Sequence, residues 1–254
     1  MPSGRLRLDQ ALVERGLAPT RARAQALILA GLARVNGRRV DKPGALVAAD
    51  ADVQLAGSDH PWVSRGGVKL AAALAAFGID ARGKRCLDVG ASTGGFTHVL
   101  LEAGAAQVTA VDVGRGQLDW RLRSDPRVVV REGVNARHLN AGEVGASFDL
   151  IVVDVSFISL RLVLPALVPL LAPAGEMVAL IKPQFEAGRR QVGKGGVVRE
   201  AAAREAAIQS VLAAAETLRL ACCGRLPCPL PGPAGNVEEL VHLRPTHAPP
   251  PPEP

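Results

Sequence analysis

From residue 64 onward, short apolar runs alternate with helical stretches, and that alternation constrains this chain more than any other feature. The strand-like runs are CLDV, VTAVD, VVV, FDLIVVD, MVALI, LRLACCGRL and VEELVHL. Helical runs lie between them at 66–77, 95–103, 159–171 and 200–217. Strands followed by helices predict a parallel sheet covered on both faces, hence an α/β fold with seven mostly parallel strands. The last two runs are joined by a Pro/Gly-rich turn and predict a hairpin at the sheet's edge.

Residues 1–57 read differently. Leu8, Ala11 and Leu12 share one helical face, and Gly16 can end that helix. Thr20 is an N-cap candidate for a second helix to Ala30, with Gly31 just beyond. Asn36-Gly37 between apolar-flanked arms predicts a hairpin, and DVQL a further strand. This is a small α+β domain. Residues 58–63 read as a linker, 64–245 as the large domain, and the Pro-rich 246–254 as a disordered tail.

Charge is uneven between these parts. The chain carries a net +6. Nine Arg or Lys residues against three acidic ones, all by residue 42, supply an excess equal to that whole net charge. Arg5, Arg7, Arg21, Arg23, Arg38 and Arg39, joined by Arg65 after the linker, are the candidate phosphate contacts. Taken singly, each is also explained as a solvated surface residue; their concentration points to nucleic acid.

Cys86, Cys222, Cys223 and Cys228 lack the paired spacing of a zinc site, and the five histidines are scattered. They read as reduced thiols and non-ligating imidazoles, with no metal. No run reaches the roughly 18 consecutive apolar residues of a membrane helix, and the start lacks a secretory pattern. The expected location is cytoplasmic, without integral membrane association.

The chemistry-bearing motif is Leu87-Asp88-Val89-Gly90-Ala91-Ser92-Thr93-Gly94-Gly95-Phe96-Thr97, which follows a strand and opens a helix. Glycines permit a tight turn and close backbone approach, and the helix start offers free N–H groups. Its spacing is not that of a dinucleotide loop. A carboxylate at Asp88 repels a pyrophosphate but suits the ammonium of S-adenosylmethionine. Asp112, ending the second strand, can accept from ribose hydroxyls. Asn135, after the third, can reach an adenine edge or simply cap a turn. Asp88 and Asp112 can also be mere strand-end caps. Gly90, Ala91, Ser92, Thr93, Gly94, Phe96 and Asp154 complete the expected cofactor contacts.

Asp154 and Lys182 end adjacent strands, at the edge where such sheets bind ligands. Lys69 lies on the helix before the first strand, and Glu238 in the last strand. Each has a bland alternative, Lys69 as a surface lysine and Glu238 as an edge-strand polar residue. Lys182, ending the apolar MVALI, is harder to explain away. Desolvation and a neighbouring lysine lower the pKa of such a group, while carboxylates raise it.

Three resemblances follow from these motifs. Arg7-Leu8-Asp9, Thr20-Arg21 with Ala24, and Val35-Asn36-Gly37 with Val40 resemble the S4-type RNA-binding domain. Lys69, Asp154, Lys182 and Glu238 resemble the K-D-K-E tetrad of FtsJ-type ribose 2′-O-methyltransferases. There the second lysine activates the hydroxyl, and the sulfonium methyl is already activated. With WVSRGGVKL, DVSFIS, LIKPQFE and GKGGVVR, the chain is similar over residues 5–245 to the TlyA family, named for haemolysis. That resemblance implies a Rossmann-like class I methyltransferase acting on cytidine 2′-hydroxyls of 16S and/or 23S ribosomal RNA, with ribosomal RNA or subunits as partner. Two positions depart from the family pattern. His60-Pro61-Trp62-Val63 stands where some members have Arg-x-Trp-Val, a segment tied to communication between the domains. A lysine that some members carry before Glu238 is absent. The alternatives are a membrane-lytic protein and a noncatalytic ribosome-binding factor.

Overall fold

The computed structural model describes residues 4–18, 20–55, 60–188, 190–232 and 234–246. Residues 58–59 of the expected linker and the expected tail from residue 247 lie outside the described residues.

The front domain runs β1 (Arg5–Arg7), α1 (Leu8–Glu14), α2 (Arg21–Leu29), β2 (Ala33–Val35), β3 (Arg38–Arg39), β4 (Leu46–Ala48) and β5 (Val53–Leu55). Leu8, Ala11 and Leu12 pack with Ile28, Val47 and Val53 into its core. Thr20 caps α2 by accepting the Arg23 N–H at 3.2 Å. Asn36 and Gly37 both take positive φ, +50° and +75°, as a two-residue hairpin turn demands. β1 and β4 pair with each other, outside the three-stranded β3-β2-β5 sheet. Asp9, fully buried, accepts from Arg7 at 3.0 Å, Arg21 at 3.1 Å and Gln25 at 2.9 Å. Burial opposes its charge, but the hydrogen bonds from Arg7, Gln25 and Arg21 outweigh it and hold the carboxyl far below the usual range.

The large domain continues with α3 (Gly66–Phe77), β6 (Arg85–Val89), α4 (Gly95–Glu102), β7 (Gln107–Asp112), α5 (Trp120–Arg123), β8 (Val128–Glu132), α6 (Ala141–Val144) and β9 (Phe148–Val153). It ends with α7 (Leu160–Leu167), β10 (Leu171–Ile181), α8 (Pro183–Glu186), α9 (Ala201–Thr217), β11 (Leu220–Pro227) and β12 (Glu239–Pro245). The seven-stranded sheet has the order β11-β12-β10-β9-β6-β7-β8. Only the contacts of β12 are antiparallel, which makes the β11–β12 hairpin the sheet's edge. Successive residues of one strand enter opposite cores: Ile151 and Val153 pack toward Leu164 and Val211, whereas Leu150 and Val152 pack toward Leu70 and Leu100. That two-sided burial is why the strand sequences are apolar throughout. The run at 159–171 is not one helix. It stops at Leu167, passes through a 3₁₀ turn at Val168–Leu170 containing Pro169, and becomes strand at Leu171.

The chain leaves β6 toward β7 on one side and has β9 on the other, so the ends of β6 and β9 form the topological switch where ligands bind. The front domain docks beside this point. Arg23 pairs with Asp119 at 3.3 Å and Arg65 with Asp41 at 2.6 Å. Trp62 lies so close over Gly67 that a Cβ there would stand 2.2 Å from the indole. Its ring meets His98 edge-on at 5.6 Å, and the Val63 N–H donates to His98 Nδ1 at 3.1 Å.

Candidate active site

The glycine turn is built by contacts no side chain would permit. Gly90 has φ +88°, and a Cβ there would stand 2.4 Å from the Asp154 carbonyl oxygen. The loop is then stitched to β7. The Gly90 and Ala91 N–H groups both donate to the Val111 carbonyl, and the Ser92 N–H donates to Asp112 at 2.8 Å. Asp112 also accepts the Gly114 N–H at 2.7 Å.

Asp88 lies beneath this turn. It is fully buried and its Oδ2 accepts from Thr97 at 2.6 Å, but its Oδ1 has no partner. Burial pushes its carboxyl up to about 7, against the Thr97 hydrogen bond and with help from the Asp154 charge. Two adjoining clefts open above. One, of about 470 Å³, is walled by Gly90, Ser92, Asp112, Asn135 and Asp154. The other, of about 170 Å³, is walled by Ala91, Thr93, Phe96, Lys69, Lys182 and Glu238. Asp88 and Gly94 stand behind these walls. Gly94 is needed for packing: a Cβ there would meet Leu122 at 2.3 Å. Asn135 reaches the larger cleft, yet its oxygen caps the Ala136–His138 turn through the Arg137 N–H at 3.0 Å. Its amide nitrogen and one oxygen lone pair are left for a base edge.

The four residues of the tetrad converge at the smaller cleft as two ion pairs. Lys69 Nζ lies 2.7 Å from Glu238 Oε2, and Lys182 Nζ lies 2.5 Å from Asp154 Oδ1. Burial works against the Lys69 charge, but Asp154 and Glu238 outweigh it and raise its pKa. Burial likewise opposes ionisation of Asp154, and Lys182 followed by Lys69 overcomes it, so this carboxyl is lowered. The cluster is thus two cations and two anions in alternation. Charged groups this buried persist because each is paired.

Sequence reading missed three participants. Ser156 accepts from Lys182 Nζ at 2.8 Å, and Gln184 donates to Glu238 at 3.3 Å. Buried Glu186 accepts the Leu160 N–H at 2.7 Å and the Ser159 hydroxyl at 2.5 Å, which ties the loop after β9 to the turn after β10. All three sit two to four residues after Asp154 or Lys182, in DVSFIS and KPQFE, and that closeness was the available signal.

The candidate RNA-binding arginines separate into groups. Arg7 and Arg21 neutralise Asp9, while Arg23 and Arg65 span the two domains. Arg5, Arg38 and Arg39 are exposed on the front domain. Among the described residues no cluster of His, Cys, Asp and Glu could hold a metal, and no helix is long and apolar enough to cross a membrane.

A mostly parallel seven-stranded sheet closed by an antiparallel hairpin, with a glycine turn over a strand-end acid, defines a Rossmann-like class I methyltransferase. The FtsJ-like methyltransferase family matches residues 62–245, and the S4 domain family matches residues 6–53. The chain belongs to the TlyA family. It is 51% identical to the 16S/23S rRNA (cytidine-2′-O)-methyltransferase TlyA of Mycobacterium tuberculosis over 241 residues, spanning 94% of this chain and 90% of that relative. It is 39% identical to Hemolysin A of Brachyspira hyodysenteriae, spanning 94% and 99%. Among solved structures, a hemolysin-named protein of Streptococcus thermophilus superposes with a TM-score of 0.75 at 42% identity, spanning 97% of this chain and 90% of that one.

Proposed function

We propose that this chain methylates the ribose 2′-hydroxyl of cytidine in 16S and/or 23S ribosomal RNA, with S-adenosylmethionine as donor. The observation that carries the reading is the convergence of the Lys69–Glu238 and Lys182–Asp154 pairs on one cleft. A protein that only bound ribosomes would have no use for four charges, buried or half-buried, at a strand-end crevice. The division into a front domain (1–57), a linker (58–63) and a catalytic domain (64–245) belongs to the same reading, as does action in the cytoplasm, where ribosomal RNA is assembled.

The residues present fit the cofactor. The orphaned Asp88 Oδ1 is an acceptor awaiting a cation, and Asp112, held by two backbone N–H groups, keeps lone pairs for ribose hydroxyls. Gly90 through Phe96 and Asn135 complete the expected contacts, with Gly94 acting through packing. Bound there, the cofactor supplies a methyl on a positively charged sulfur. Asp154 stands at the junction of the two clefts and holds Lys182. Lys182, a cation in the resting cluster, must first release a proton; as the neutral amine it then takes the proton of the ribose hydroxyl as that oxygen acquires the methyl, the task of a general base. Glu238 holds Lys69 across the cleft, and positioning of the reacting oxygen supplies much of the rate. Arg5, Arg38 and Arg39 present charge for phosphates, while Arg7, Arg21, Arg23 and Arg65 shape and dock the front domain.

The test is methyl transfer from labelled cofactor to unmodified ribosomal subunits and naked ribosomal RNA, with the product mapped to the nucleotide. Lys182→Ala abolishes transfer and leaves cofactor binding largely intact. A wild-type protein that labels no ribosomal RNA refutes the reading.

A further inference from the structure

Ser156 follows Asp154 by two residues, in the loop after β9, and its residue type does not single it out. Its hydroxyl oxygen accepts from Lys182 Nζ at 2.8 Å, while the same nitrogen stands 2.5 Å from Asp154 Oδ1. The side chain is exposed and walls both clefts. Three residues further on, the loop is clamped by Glu186, through Ser159 and Leu160, to the turn that carries Lys182.

An amine nitrogen is tetrahedral. Neutral Lys182 has two N–H groups and one lone pair, and Asp154 and Ser156 are two acceptors. Of these two only Ser156 has hydrogen-bond geometry, and Asp154 Oδ1 lies close as an ion-pair partner without it. With one N–H bonded to Ser156 and the other drawn toward the Asp154 charge, the lone pair is confined to the remaining open direction. The other charged groups of the cluster, Lys69 and Glu238, are occupied with each other.

We infer that Ser156 is a positioning residue for methyl transfer. It fixes rotation about the Lys182 Cε–Nζ bond, so that the lone pair, rather than an N–H, meets the ribose 2′-hydroxyl. The inference rests on the reading of this site as a 2′-hydroxyl methyltransferase. In the step it serves, the O–H bond breaks and its proton goes to Lys182. The freed electron pair forms the O–CH₃ bond, and the S–CH₃ pair stays on sulfur. Lys182 returns the proton to solvent between turnovers. With Asp154 as its one remaining acceptor, the amine turns more freely and the lone pair is misdirected for part of the time.

Ser156→Ala and Ser156→Thr test this. A general base supplies roughly a hundredfold or more, and losing its aim forfeits about tenfold of kcat. In Ser156→Ala kcat falls by that amount, while KM for RNA and the cofactor Kd stay within about twofold, as expected when only transition-state aim is lost. Ser156→Thr, which keeps the hydroxyl, restores kcat. An Ala variant at wild-type kcat, or a Thr variant as slow as Ala, overturns the inference. A second arm needs no turnover. In ¹⁵N-lysine-labelled protein, the Lys182 Nζ protons exchange with water faster in Ser156→Ala than in wild type or Ser156→Thr. Equal exchange in all three removes the contact on which the inference stands, whether or not any RNA is methylated.

Discussion

Replacing Asp88 by Asn should stabilise the protein and cripple its site, and the two effects share one cause. Asp88 is fully buried, its Oδ1 has no partner, and its carboxyl is pushed up to about 7 from an ordinary 3.8. Between those two values the native state holds a proton that the unfolded chain has lost. Stability therefore falls as pH rises through the window, and the penalty is complete above it. Three units at about 1.4 kcal/mol each come to about 4 kcal/mol at pH 8, of which roughly 2–3 kcal/mol accrue between pH 5 and pH 8. Asparagine carries no charge at any pH and keeps an oxygen for the Thr97 hydroxyl. Urea unfolding at pH 5 and pH 8 should show the advantage of Asp88→Asn growing by that increment. The same variant should bind S-adenosylmethionine more weakly by calorimetry, since the ammonium loses its counter-charge. Wild-type affinity should rise with pH between 6 and 8 as the carboxyl ionises. An advantage that is equal at both pH values refutes the assignment of Asp88 as a strained, unpaired acid.

Other outcomes follow from the same structure. Gly90→Ala forces a Cβ against the Asp154 carbonyl at positive φ and should cost about 2–3 kcal/mol or more in thermal unfolding. Glu176 accepts from Lys84 at 2.7 Å and bonds His242 at 2.8 Å; these partners outweigh its burial and hold the carboxyl at about 2. Its stabilisation is complete above the ordinary value of 4.5 and is lost as pH falls toward 2. Glu176→Gln should thus cost about 2–3 kcal/mol at pH 7, with a deficit that shrinks in acid melts. Arg5→Ala with Arg38→Ala should weaken RNA binding and flatten the plot of log K against log salt by about 0.7–0.9 per lost phosphate contact, without moving the melting temperature. Arg7→Ala should lower that temperature, because it leaves buried Asp9 short of a partner.

What could be read in the sequence is what local pattern encodes. The strand and helix runs of the large domain, the Asn36-Gly37 turn and the Thr20 cap announce themselves through periodicity, residue type or spacing, whereas the tetrad is suggested as a set only by its resemblance to the FtsJ-type pattern. β1 does not announce itself: Arg5-Leu6-Arg7 becomes strand only because Leu46–Ala48 lies alongside it. The partners of the arginines were equally hidden. Asp119 lies 96 residues from Arg23, and nothing near either predicts that they meet. The helical pattern at 159–171 misled because a half-buried strand start and a helix end can both be apolar. Asp88 shows the limit most sharply. Its position just before a glycine turn makes it a candidate cofactor contact, but the lack of a partner for its Oδ1 is a property of the folded interior.

The Lys69–Glu238 pair closes over 169 residues of chain, and this distance sets the order of events during synthesis. Domains fold as units, N-terminal first, as they leave the ribosome. The front domain, with its own core, is complete long before β12 exists to hold Glu238. On the proposed function, a nascent or truncated chain therefore completes its S4-type domain well before the Lys69–Glu238 pair of the catalytic cleft can form.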